Sequence, residues 1–108
     1  MYSQGEIVLI PFPFSDLSNQ KVRPAIIISN SIVNKTNDYL FAQITSKIKN
    51  DEFSFVLNDN DLTNSLNKPS EVRTQKLFTG NKDLIRQSIS TLKFHKQQEL
   101  SEKIKKLF

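Results

Sequence analysis

Residues 21–29 read Lys21-Val22-Arg23-Pro24-Ala25-Ile26-Ile27-Ile28-Ser29. Three consecutive isoleucines signal a strand in a buried position, because β-branched side chains pack well on a pleated surface. The predicted strand is Ala25–Ser29. Pro24 fits its first residue, where the missing N–H does least harm. Before it lies Ser15–Lys21, SDLSNQK, which reads as a polar, turn-rich surface loop. Further upstream, Glu6–Ile10 (EIVLI) predicts a strand that breaks at Pro11-Phe12-Pro13-Phe14.

Downstream, Asn30–Asp38 reads as a polar connection. Tyr39–Thr45 (YLFAQIT) predicts a third strand and Phe53–Leu57 (FSFVL) a fourth, with SKIKNDE between them suiting a hairpin turn. Asn58–Ser70 is rich in Asn, Asp and Ser and predicts at most a short helical turn around Asp61–Leu66. Glu71–Leu77 and Ser88–Leu92 predict a fifth and a sixth strand. From about His95 to Leu107 the spacing of Leu100, Ile104 and Leu107 gives one apolar helical face. Lys103, Lys105 and Lys106 fall in its last turns, where the helix dipole favours cations. Strands this closely spaced leave no room for crossover helices, so the pairing is expected to be antiparallel. A small, strongly bent sheet or barrel with helices outside follows.

The 108 residues predict one domain, 1–108. With 37% hydrophobic and 24% charged residues the chain is expected to be globular and soluble. No apolar run approaches the ~18 residues of a membrane helix, and MYSQGEIV does not read as a signal peptide. No membrane contact and a cytoplasmic location are therefore expected. The absence of cysteine removes disulfides and thiol nucleophiles, and the single His95 removes a multi-histidine metal site. Fifteen Lys and Arg against eleven Asp and Glu give a net charge of +4, which favours an anionic partner, nucleic acid first.

Common enzyme signatures are missing. The two glycines, Gly5 and Gly80, form no phosphate loop, and the pair Asp59/Asp61 lies in a soft segment ill suited to a two-metal site. What remains is a set of polar residues at strand ends. Arg23 stands at the mouth of the buried strand, where a planar guanidinium makes a good phosphate clamp. Thr45 and Ser46 end the third strand, and a threonine hydroxyl can add a further hydrogen bond. Lys21, Lys47, Lys49, Arg73 and Lys76 lie at or near strand ends that can converge on one face. The plain alternatives are a solvated Arg23, a Thr45 placed for β-propensity and a surface His95. Phe12 and Phe14 are core rings or bases' stacking partners.

Gly5-Glu6-Ile7-Val8, then Arg23-Pro24-Ala25-Ile26-Ile27-Ile28-Ser29, then Gln43-Ile44-Thr45-Ser46, resemble the MazF/PemK toxin family. Ser70-Glu71-Val72-Arg73-Thr74 and the closing strand and helix follow in the family's order. The resemblance implies a mainly β fold, a small SH3-like antiparallel β-barrel with a C-terminal α-helix, working as a homodimer. It implies the toxin of a type II toxin–antitoxin pair, cutting single-stranded RNA at short motifs without a metal or other cofactor. The products would be a 2′,3′-cyclic phosphate or 3′-phosphate and a 5′-hydroxyl. The family's catalytic arginine and threonine fall on Arg23 and Thr45. The implied partner besides RNA is a cognate antitoxin that lays an acidic segment across the RNA groove.

The chemistry suits these residues. Attack by a 2′-hydroxyl needs charge stabilisation at phosphorus, which arginine and a hydroxyl supply. Arginine, with a pKa above ~12, is a poor proton shuttle. Many family members carry an acid and glycines in the loop before the arginine; here the loop has only Asp16. The acid/base candidates are therefore Asp16 and Glu71, with Lys21, Ser46, Lys47, Arg73 and Lys76 as RNA contacts. Two other readings stay open: a gyrase poison of the CcdB kind on the same fold, or a barrel that binds RNA or protein without cutting.

Overall fold

The computed structural model describes residues 1–12 and 21–108. Its strands are β1 (Glu6–Phe12), β2 (Lys21–Ile27), β3 (Asp38–Thr45), β4 (Ser54–Leu57), β5 (Ser70–Asn81) and β6 (Gln87–Thr91). A single-turn helix α1 (Ser31–Asn34) follows β2, and α2 (Phe94–Lys105) ends the chain. The strands form one antiparallel sheet in the order β4-β5-β3-β2-β1-β6. Among the described residues no helix is long and apolar enough to cross a membrane.

Two irregularities curl this sheet. Between Ala42 and Gln43 the partner on β5 jumps from Leu77 to Arg73, so Thr74, Gln75 and Lys76 bulge out. Between Ile7 and Val8 the partner on β6 passes from Ser90 to Ser88, leaving Ile89 over. Extra residues on one strand bend it and increase its twist. The curl brings the two edges together: Leu62, beyond β4, bridges Leu92, beyond β6. The Thr63 N–H donates to the Thr91 carbonyl at 2.9 Å, and the Lys93 N–H to the Asp61 carbonyl at 2.8 Å.

The isoleucine run makes sense in this curl. Ile26 faces one apolar cluster with Ile7, Ala42, Ile44 and Val72, which α2 covers with Leu100 and Ile104. Ile27 faces the other, with Val8, Ile10, Tyr39 and Phe41. Alternate side chains of β2 thus enter different cores, each fully buried isoleucine contributing about 1.5–3 kcal/mol. In the second core Phe41 stacks on Phe78 at 5.2 Å, and Phe12 meets Phe78 edge-on at 5.2 Å. Phe12 is therefore a core ring; Phe14 lies outside the described residues.

Several boundaries differ from the sequence reading. β1 runs through Pro11, which pairs with Val22, and β2 begins at Lys21 rather than at Ala25. Pro24 is admissible inside β2 because the ladder to β3 starts only at Ala25. The expected β3–β4 hairpin is corrected: both strands pair with β5, and the 46–53 turn crosses from one side of it to the other. Polar side chains on β5, described below, hold that turn. The connection after β2 holds α1, whose N-cap Asn30 accepts the Ile32 N–H at 3.0 Å. The short turn after β4 spans Asp59–Asp61, and Leu107 lies beyond the helix, 41% exposed.

Gly5 is a fixed point of the frame. Its φ of 92° suits glycine, and a side chain there would collide with Gln97. Its N–H donates to the Ile27 carbonyl at 2.8 Å and its carbonyl accepts the Leu92 N–H at 2.9 Å. It therefore fastens β2 to the stretch beyond β6.

Candidate active site

Arg23 is on β2 and Thr45 ends β3. The two strands pair as Ala25 with Gln43, Ile26 with Ala42 and Ile27 with Phe41. Arg23 lies two residues before the first pair and Thr45 two residues after it, so residues 22 positions apart in sequence lie at the same end of the sheet. Both line a groove of about 410 Å³. Val22, Pro24, Ile44, Leu66 and Ile89 give it apolar walls, and Ser46, Asn67, Lys68 and Ser70 give it polar ones. Among the described residues that line it, Arg23 and Lys68 are the cations and there is no carboxylate. An anion is the ligand such a groove suits.

Arg23 is exposed and Thr45 half-buried. The Thr45 Oγ1 accepts the Lys47 N–H at 3.0 Å, which engages an oxygen lone pair and leaves the hydroxyl proton to donate. Where β5 begins beside the end of β3, Ser70 Oγ donates to the Lys68 carbonyl at 2.9 Å, at the lip formed by Asn67, Lys68 and Ser70. Asn64, four residues before Lys68, is tied to β6: its N–H donates to Ser90 Oγ at 3.1 Å, and its carbonyl accepts from that hydroxyl at 2.7 Å. The lip is thus held at both ends by local hydrogen bonds.

The remaining sequence candidates divide. Ser46 lines the groove. Lys21 and Lys47 are exposed beside Arg23 and Thr45 in sequence but do not line it. Lys76 is exposed on the β5 bulge and does not line it either. Asp16 lies outside the described residues. Glu71 and Arg73 are turned inward, against the expectation that they face substrate: Glu71 is 0% and Arg73 6% exposed. Arg73 Nη1 meets Glu71 Oε2 at 2.6 Å and Ser54 Oγ at 3.0 Å. Ser54 Oγ donates to Glu71 Oε2 at 2.7 Å, and Glu71 Oε1 accepts the N–H groups of Lys49 and Asn50 at 3.1 and 3.3 Å.

Burial pushes the Glu71 carboxyl up, but the hydrogen bonds from Ser54, Arg73 and the two N–H groups outweigh it and hold it below the usual range. A carboxylate so engaged is badly placed to take a proton from a substrate. Lys68, Asn67 and Ser70 were missed in the sequence because they sit in a segment without periodicity; Pro69, which stiffens that lip, was the available signal. A larger groove of about 650 Å³ runs along α2 past the exposed His95. It carries Glu52, Glu99 and Glu102 and touches neither Arg23 nor Thr45. Among the described residues no three His, Asp or Glu side chains are grouped to hold a metal ion.

The sequence profile of the PemK-like, MazF-like toxins of type II toxin–antitoxin systems matches residues 3–108. The chain belongs to this family. No curated protein matches the sequence. Solved structures of the same fold include an endoribonuclease in complex with its cognate antitoxin from a mycobacterial species, 13% identical over 98% of this chain and 93% of that one, with a TM-score of 0.80. The Mycobacterium tuberculosis toxin MazF-mt6 is 22% identical over 94% and 93%, with a TM-score of 0.74. A MazE–MazF structure from Deinococcus radiodurans is 18% identical over 98% and 94%, with a TM-score of 0.79. The family's fold thus persists at low identity.

Proposed function

We propose that this toxin is a metal-independent endoribonuclease that cuts single-stranded RNA at a short sequence, with Arg23 and Thr45 as the catalytic pair. The observation that carries the reading is the convergence of these two donors in a groove whose described lining residues include two cations and no carboxylate. The substrate's 2′-hydroxyl attacks the adjacent phosphorus, its oxygen forming the new P–O bond as the bond to the 5′-oxygen breaks. The 2′-hydroxyl proton leaves to a base and the 5′-oxygen gains one, giving a 2′,3′-cyclic phosphate and a 5′-hydroxyl. Arg23 donates to the phosphoryl oxygens, where negative charge grows in the transition state, and the Thr45 hydroxyl adds a third donor. Glu71 is committed to its own partners, so Asp16 is the residue we assign to proton transfer.

The apolar walls beside Arg23 and Lys68 suit a single strand, whose unpaired bases offer flat faces while its phosphates meet the cations. A homodimer would set two such grooves side by side, and an antitoxin's acidic segment would compete for the same cations. The experiment is incubation of the protein with a defined single-stranded RNA in EDTA, followed by analysis of the new ends. The expected result is a 5′-hydroxyl and a cyclic phosphate at one repeated sequence. Intact RNA beside a folded protein of twice 12.5 kDa by light scattering would favour a binding-only barrel.

A further inference from the structure

A buried ion pair is an expensive feature for so small a domain. Apolar residues of the same volume often give equal or greater stability. The Glu71–Arg73 pair has a second consequence, which is the shape of the 46–53 turn. Glu71 stands directly across the ladder from Thr45. Its Oε1 holds the N–H groups of Lys49 and Asn50. Arg73 grips the Asp51 carboxylate through both terminal nitrogens, at 2.9 Å each. Asp51 Oδ1 in turn accepts the Phe53 N–H at 3.0 Å. Asn50 takes a φ of 50° in the middle of the turn, a left-handed conformation that these contacts support.

The near end of the same turn reaches the candidate catalytic hydroxyl, because the Lys47 N–H donates to Thr45 Oγ1. Where the Lys47 N–H points fixes which side of the Thr45 oxygen is occupied, and so where its proton is offered. A loose turn would let the hydroxyl rotate and would remove a preorganised donor without changing the groove's charge.

We propose that Glu71 and Arg73 are positioning residues for the Thr45 hydroxyl, acting through the 46–53 turn and the Lys47 N–H. The proposal rests on the reading of Thr45 as a cleavage residue. Neither side chain lines the groove, so both are expected to influence the cleavage step and leave RNA affinity unchanged.

The test is a double-mutant cycle on the full chain, using single-turnover cleavage of a labelled RNA and a separate measurement of RNA binding. Glu71→Gln should keep RNA affinity within about twofold and slow cleavage by about tenfold. In a Thr45→Ala background the same substitution should cost nothing further, because the hydroxyl it positions is gone. The Lys47 amide should lose hydrogen-exchange protection in Glu71→Gln. Equal losses in both backgrounds would overturn the proposal, as would an unchanged rate in a folded Glu71→Gln. If Glu71→Gln does not fold, Asp51→Asn takes its place; that carboxylate is 42% exposed, and its loss weakens the grip of Arg73 on the turn while leaving Arg73 on Glu71 and Ser54. A Thr45→Ala protein that cleaves at the parent rate would defeat the reading of Thr45 itself, a failure visible in that single variant alone.

Discussion

Arg73 and Asp51 form a two-pronged ion pair, Nη1 to Oδ1 and Nη2 to Oδ2, each at 2.9 Å. The planar fork of arginine matches a carboxylate in this way and resists replacement by lysine. Arg23, on β2, is exposed at the groove instead. Two arginines that look alike in the sequence therefore differ in setting: one is enclosed with Glu71 and Ser54, and the other is exposed at the candidate groove.

Acid should loosen the turn first. The hydrogen bond from Arg73 holds the Asp51 carboxyl at about 2, and Glu71 is also held below its ordinary range. Both are depressed in the folded chain, so their stabilisation is complete above the ordinary carboxylate range of about 4. It is lost as pH falls from there toward 2. Thermal melts should show a flat midpoint near neutrality and a steady decline below pH 4. Asp51→Asn should flatten part of that decline; an identical acid limb in the variant would show that Asp51 is not its source.

The two catalytic candidates should respond unequally. Arg23→Ala is expected to lower single-turnover cleavage by about a hundredfold or more, the scale for losing one preorganised donor at developing charge. Arg23→Lys should recover little, because an ammonium lacks the fork. Thr45→Ala should lose about tenfold to a hundredfold, and Thr45→Ser should keep most of the rate. Arg23→Ala should melt like the parent, because the side chain is exposed. A parent-like rate in that variant would remove Arg23 from the chemistry.

Lys68 should show up in salt dependence more than in rate. It lines the groove with Arg23. Lys68→Gln is expected to reduce the slope of log affinity against log salt by about one unit and to weaken binding uniformly across RNA sequences. Titrations at several salt concentrations measure this directly. An unchanged slope would place Lys68 outside the phosphate path.

Gly5→Ala tests the frame itself. The positive φ alone costs about 1–2 kcal/mol with a β-carbon, and Gln97 occupies the space the methyl needs. The midpoint of thermal unfolding should fall by several degrees. Gly5→Ala and Gln97→Ala together should recover only the part due to the collision, which separates crowding from backbone strain.

The strand content of the fold was legible because Ile26–Ile28, Tyr39–Thr45 and the short loops each carry a local signal. The pairing of β4 was not. A seven-residue polar turn after Thr45 reads as a hairpin, and only the long-range pairing of both β3 and β4 with β5 reveals that β5 lies between. The extension of β2 back to Lys21 was hidden for a related reason: Pro24 argues locally for a strand start, whereas β2 pairs with β1 alone there and leaves the other side of Pro24 without a ladder. Arg23 and Thr45, candidates from their motifs, both line the groove, whereas Lys68 carried no signal in the sequence because it enters the groove by tertiary placement alone. Glu71 and Arg73 were legible as important positions but misread in direction, since alternation along a strand does not say which face a covering turn will close over.

The bridge between Leu62 and Leu92 has a consequence for the order in which the protein is made. Synthesis proceeds from the N-terminus, so Arg23 and Thr45 leave the ribosome long before the residues that complete their surroundings. Ile89, a wall of the groove, belongs to β6, and the contacts that fix the stretch before Lys68 run to Ser90 and Thr91. A nascent chain that ends at β5 carries both candidate catalytic residues yet has one side of their groove missing and the other unfastened. The last strand to be translated is thus the one that completes the candidate groove, supplying Ile89 as a wall and Ser90 and Thr91 as anchors for the stretch before Lys68.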